Sequence, residues 1–127
     1  MHRPYFPMFI DLTDKKVLVA GGGTIALRRV RTLLKFGADI RVIAPELCGE
    51  LAQMEEEGKI TAEHRGYRAG DICGAQIVLA ATDDREVNRR IWEECQGAGI
   101  IVNVADDKSL CDFYFPSVVM THEAVIG

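Results

Sequence analysis

The glycines Gly21-Gly22-Gly23 stand directly after the apolar run Val17-Leu18-Val19-Ala20 and directly before a helical pattern. Gly21, Gly23 and Ala26 keep the G-x-G-x-x-G/A spacing of a turn that cradles a pyrophosphate. The chemistry accounts for the residue types. The first glycine lets the chain turn sharply out of a strand, and the second has no Cβ to hold a pyrophosphate away. A small third residue lets helix and strand pack closely. The helix N-terminus at Thr24 and Ile25 then offers free N–H groups and a partial positive charge. A glycine-rich turn that binds nothing would carry the same glycines. The agreement of strand, spacing and helix favours a dinucleotide.

Other candidates follow from what such a ligand needs. Glu46, just past a second apolar run and after Pro45, lies where an acid holds the adenine ribose hydroxyls. The competing reading is a first-turn acid that suits a helix dipole. No arginine is adjacent to Glu46 in sequence to take a 2′-phosphate, which favours NAD over NADP. Asp106 follows the last apolar run, where a carboxylate could be a general base, a metal ligand or a plain loop acid. Asp107 and Asp112 are equally placed by spacing alone. Arg28 and Arg29 lie near the phosphate-binding end and read either as a solvated face or as partners of an anionic ligand. His2, His64 and His122 form no metal-ligand spacing, and no metal site is expected.

The elements that must position these residues alternate. A first strand, Val17–Ala20, precedes a helix over Thr24–Phe36 with Ala26, Val30, Leu33 and Leu34 on one face and a stop at Gly37. A second strand, Ile40–Ala44, runs into a helix opened by Pro45-Glu46, with Pro at a favoured early position. A third strand falls in Lys59–Arg65, and a loop or short helix in Gly66–Gly74. A fourth strand, Gln76–Ala81, is apolar enough for burial on both faces. It leads through Thr82 to a helix capped by Asp83 with Glu86, with Val87, Ile91 and Cys95 inward. Ile100–Val104 is a fifth strand. Strands alternating with helices imply an α/β, Rossmann-type doubly wound parallel sheet of order 3-2-1-4-5, with ligand at the strands' carboxyl ends. Tyr5–Ile10 reads as an edge strand or an arm packed on the core, because Pro7 argues against a central strand.

The totals agree. The chain has 127 residues, 48% hydrophobic and 27% charged, with a formal net charge of −4. That suits one domain with a real core and argues against a general nucleic-acid binder. Four cysteines, Cys48, Cys73, Cys95 and Cys111, show no C-x-x-C pattern and read as reduced thiols. No run is long and apolar enough to cross a membrane, and no signal core opens the chain, so a cytoplasmic location is expected. The chain stops in or just after the apolar run Ala124-Val125-Ile126, which suggests a fragment of a longer protein.

Assembled, the chain resembles the dehydrogenase domain of siroheme synthases, the precorrin-2 dehydrogenase family. The resemblance is carried by Tyr5-Phe6-Pro7-Met8-Phe9, Gly21 to Arg29, Val42-Ile43-Ala44-Pro45-Glu46 and Ala80 to Asp84 with Val87-Asn88. It continues through Asn103-Val104-Ala105-Asp106 and Phe113-Tyr114-Phe115-Pro116-Ser117. The last two segments are far more specific than the first glycines. The resemblance implies NAD-dependent oxidation of precorrin-2 to sirohydrochlorin, with iron insertion in some members. It implies Gly21, Gly22, Gly23, Thr24, Ile25, Pro45, Glu46 and Thr82 at the dinucleotide, and Asp106 as the catalytic aspartate. An ionised Asp106 could accept the proton that must leave with the hydride. Arg28 and Arg29 are candidates, by position, for the anionic tetrapyrrole. The implied organisation is an NAD-binding domain over 1–112 and the incomplete start of a dimerisation region over 113–127, hence a homodimer. A second reading is a non-enzymatic NAD-binding regulatory domain resembling those of potassium transport systems. Such a sensor pairs a glycine-rich turn with a Thr-Asp-Asp stretch but has no need of Asn103–Asp106 or Phe115-Pro116-Ser117.

Overall fold

A computed structural model describes residues 4–115 of the chain. The strands are β1 (Lys16–Ala20), β2 (Asp39–Ile43), β3 (Thr61–Glu63), β4 (Ile77–Ala80) and β5 (Ile101–Val104). They alternate with the helices α1 (Thr24–Leu34), α2 (Gly49–Glu56) and α3 (Arg85–Ala98), and a 3-10 turn, Lys108–Leu110, follows β5. All strand pairs are parallel and the order is β3-β2-β1-β4-β5, as the alternation requires.

Side-chain alternation along β1 explains the two-faced core. Val17 and Val19 pack with Ala26, Val30 and Leu33 of α1 and Leu51 of α2. Leu18 and Ala20 point the other way and pack with Ile91 and Cys95 of α3 and Val102 of β5. Burying both faces in this way is what makes β1 and β4 continuous apolar runs rather than alternating ones.

Several local expectations shift, each for a tertiary reason. Pro45-Glu46 does not open α2, which begins at Gly49 after Cys48. The connection is first tied to the glycine turn: the Cys48 N–H donates to the Gly22 carbonyl at 2.8 Å. Glu46 therefore lies outside the helix, and the helix-dipole reading of it falls away. The cap of α3 is Asp84 rather than Asp83. Its Oδ1 accepts from the N–H groups of Glu86 at 2.9 Å and Val87 at 3.4 Å. Residues Tyr5–Ile10 form no strand. The free edge of β5 is already occupied, because Asp112 N–H donates to Val102 O at 2.9 Å and Val102 N–H to Asp112 Oδ2 at 3.0 Å. Tyr5 is anchored, its hydroxyl donating to Cys111 O at 2.9 Å and its ring 4.5 Å from that of Tyr114, while Phe6 remains 84% exposed. Pro116, Ser117, the end of the expected dimerisation region, and His2 and His122 lie outside the described residues.

Candidate functional site

Strand register brings the expected residues to one edge. Ala20 pairs with Ile43 and with Ala80, and Ala80 pairs with Val104. Two residues past this row stand Gly22, Pro45, Thr82 and Asp106. Each therefore leaves the sheet at its carboxyl end, where the strand order reverses between β1 and β4.

The glycines do different work. Gly21 has φ +128°, and a Cβ on it would meet Ala81 O at 2.2 Å and Thr82 N at 3.1 Å. A Cβ on Gly22 would stand 2.1 Å from Glu46 O. These two glycines let the ends of β1, β2 and β4 close on each other. Gly23 would meet nothing within 4 Å, so its bare face is open to a ligand. Gly23 is also the N-cap of α1, with no side-chain cap and no acid in the first turn. Thr24 and Ile25 are exposed there. The open N-terminus and the missing Cβ suit a pyrophosphate. Glu46 is exposed, and no described residue pairs with its carboxylate. A dinucleotide thus fits the groups present: Gly23, Thr24 and Ile25 for phosphates, Pro45 and Glu46 for the ribose end.

Asp106, Asp107 and Asp112, equivalent by spacing, are sorted by their partners. Asp107 caps the 3-10 turn, accepting from Ser109 N–H at 3.0 Å and Ser109 Oγ at 2.5 Å. The Ser109 hydroxyl, together with its N–H, holds the Asp107 carboxyl below the usual range. Asp112 serves the β5 edge. Asp106 has no such bond among the described residues; Arg85 Nε lies 3.7 Å from its Oδ2, and Arg85 is itself 82% exposed. Of the three acids, Asp106 alone has a carboxylate with no hydrogen bond among the described residues.

The two arginines also part. Arg28 is exposed. Arg29 is half-buried, its guanidinium carbon 4.3 Å from the Phe115 ring centroid and its Nε buried without a hydrogen-bond partner among the described residues. Burial pushes its pKa down, and the Arg28 charge adds to this. Stacking on an aromatic face suits a weakly hydrated guanidinium. Among the described residues no three His, Cys, Asp or Glu side chains are grouped as metal ligands would be.

Two residues at this edge carry no role from the sequence. Arg85 begins α3 and faces Asp106. Asn88 is buried, at 1% exposure, and holds Thr82 by three hydrogen bonds. A signal for Asn88 existed, since it falls on the inward stripe of α3 with Ile91 and Cys95. A polar residue on a buried stripe needs a partner.

Comparison with known proteins places this geometry. Residues 8–117 match the family model described as "Putative NAD(P)-binding". The "Probable multifunctional siroheme biosynthesis protein HemA" of Ruminiclostridium josui is 48% identical over 96% of this chain, and 24% of that protein is covered. The siroheme synthase of Nitrosococcus oceani is 40% identical over 97% of this chain, with 26% of that protein covered. Among solved structures, SirC, a precorrin-2 dehydrogenase, superposes with a TM-score of 0.80 at 29% identity, covering 91% of this chain and 56% of that one. The chain thus spans about a quarter of the length of these curated relatives.

Proposed function

This chain belongs to that NAD(P)-binding family, and from this premise we propose that it is the dehydrogenase part of a siroheme-forming enzyme, oxidising precorrin-2 to sirohydrochlorin with NAD. The observation that carries the reading is the shared register of Gly22, Pro45, Thr82 and Asp106 beyond one edge of the sheet. The likeness to siroheme synthases and to a precorrin-2 dehydrogenase supports the substrate class.

In this reading the N–H groups at Thr24 and Ile25 hold the pyrophosphate, and Gly23 gives it room. Glu46 takes the ribose hydroxyls, which favours NAD over NADP. When bound, the nicotinamide supplies the hydride acceptor. Asp106 accepts the proton released as the macrocycle is oxidised. The substrate is an anionic tetrapyrrole, and Arg28, exposed beside the phosphate end, is the cation placed to meet its carboxylates. Arg29 supports that face from beneath, through its stack on Phe115. The protein acts in the cytoplasm as a homodimer, a reading supported by the exposed apolar side chains Phe6, Met8 and Phe9. The proposal is confined to the oxidation.

The test is anaerobic mixing with precorrin-2 and NAD, following NADH, with Asp106→Ala alongside. NADH from the native chain and none from the variant, with NAD affinity unchanged between them, is the expected result. Turnover by Asp106→Ala at the native rate would remove Asp106 from the chemistry. NAD binding without turnover, in this chain and in the longer form its relatives take, would favour a nucleotide sensor.

A further inference from the structure

We propose that Asn88 is a positioning residue for the dinucleotide: its buried amide fixes the peptide and hydroxyl of Thr82, and through Thr82 the floor of the glycine turn. This rests on the cofactor reading above and deepens it.

Asn88 lies one turn into α3 and is 1% exposed. Its Oδ1 accepts from Thr82 N–H at 3.1 Å and from Thr82 Oγ1 at 2.7 Å. Its Nδ2 donates to Thr82 O at 3.1 Å. Among the described residues, every hydrogen bond of this side chain therefore goes to a single residue. The helix start does not need it, because Asp84 already caps the N–H groups of Glu86 and Val87. A buried amide is costly to leave unpaired, so the three bonds act as one clip. What the clip holds is informative. Thr82 stands on the carboxyl edge of the sheet, and its backbone N and the Ala81 carbonyl form the surface against which Gly21 turns. Rotating the Ala81–Thr82 peptide would move that surface. It would also displace Gly23 and the open end of α1 that follows. Thr82 Oγ1 further accepts from Asp84 N–H at 3.2 Å, which joins the same loop to the start of α3. The contacts run from α3 to the phosphate turn through one threonine.

The test is equilibrium titration of NAD into the native chain, Asn88→Ala, Thr82→Val and the double variant, with binding stoichiometry and thermal midpoint recorded for each. Asn88→Ala is expected to weaken NAD affinity by at least about tenfold at full stoichiometry. Thr82→Val loses only the hydroxyl contact and should weaken it less, and the double variant should be no weaker than Asn88→Ala alone, since both act on one clip. Asn88→Asp is the second variant. It keeps both acceptor contacts and loses the donation to Thr82 O. Its NAD affinity, taken relative to the native protein at the same pH, is expected to recover as pH falls and the new carboxyl protonates. Reduced stoichiometry or a lower midpoint with native affinity in Asn88→Ala would overturn the proposal, leaving Asn88 a stabilising residue only. So would additive losses in the double variant, or pH-independent native affinity in Asn88→Asp. Absence of NAD binding by the folded native chain would overturn the cofactor reading itself, and this inference with it.

Discussion

Gly22 lies directly against the backbone of Glu46: a Cβ on the glycine would stand 2.1 Å from the Glu46 carbonyl oxygen. Gly23, the next residue, would meet nothing within 4 Å. Adjacent glycines thus answer to different constraints, one to the fold and the other, in the proposed reading, to the dinucleotide. Gly22→Ala is expected to destabilise the chain by at least about 2 kcal/mol, because backbone rather than a flexible side chain must give way. Gly23→Ala should change stability by no more than about 1 kcal/mol, the range of an N-cap exchange. It should nevertheless weaken NAD binding at least about tenfold. Denaturant titration beside NAD titration separates the two; native NAD affinity in Gly23→Ala would remove the close-approach role.

Asp71 should govern part of the acid limb of stability. Its Oδ1 and Oδ2 take both Nη groups of Arg65, at 2.8 and 2.9 Å, and Arg68 N–H donates to Oδ2 at 2.7 Å. The Arg65 guanidinium, with the Arg68 N–H, holds the Asp71 carboxyl below the usual range against the opposing effect of burial. A folded pKa below the unfolded value of about 3.9 contributes stability above that pH and loses it as pH falls toward the folded value. Asp71→Asn is expected to cost about 1–3 kcal/mol near neutrality and to flatten the loss below about pH 4. Urea unfolding at neutral and acid pH measures both.

The edge of β5 is closed by a side chain in the place of a sixth strand. Asp112 Oδ2 accepts from Val102 N–H at 3.0 Å, and Cys111 Sγ accepts from Val104 N–H at 3.2 Å. Asp112→Ala leaves the Val102 donor without its acceptor, at a cost of about 1–3 kcal/mol, and bares an edge able to pair with another chain. A lower thermal midpoint and concentration-dependent scattering are expected. Asp112→Asn keeps an acceptor and should stay close to native in both.

The thiols should label in a fixed sequence. Cys73 is exposed, Cys48 half-buried, and Cys95 and Cys111 buried. Burial, with the nearby Glu94 and Asp112 charges, pushes the Cys95 thiol up to about 12. At about pH 8 an alkylating reagent should modify Cys73 first and reach Cys95 only after denaturation, because the thiolate is the nucleophile. Mass mapping of partially labelled protein tests this, and early labelling of Cys95 would contradict it.

Strand order, the two buried faces and the glycine turn were all legible in the linear chain. Apolar period, strand-turn-helix alternation and G-x-G-x-x-A spacing depend on residues close in sequence, and parallel crossovers have one favoured hand. The placement of Gly22, Pro45, Thr82 and Asp106 on one edge follows from those signals. Tertiary structure decided what spacing leaves open. It tied Asp107 to Ser109 and Asp112 to Val102, so that Asp106 is set apart from two acids of equal standing in the sequence. It moved the start of α2 past Glu46 by bonding Cys48 to Gly22, and it stacked the Arg29 guanidinium on the Phe115 ring while leaving Arg28 exposed. It left Tyr5–Ile10 outside the sheet, with Asp112 rather than an added strand bonded to Val102 at the β5 edge. Hydrogen-bond partners are chosen by which groups folding brings together, and a backbone N–H donates to whichever acceptor the fold places within reach, however distant along the chain.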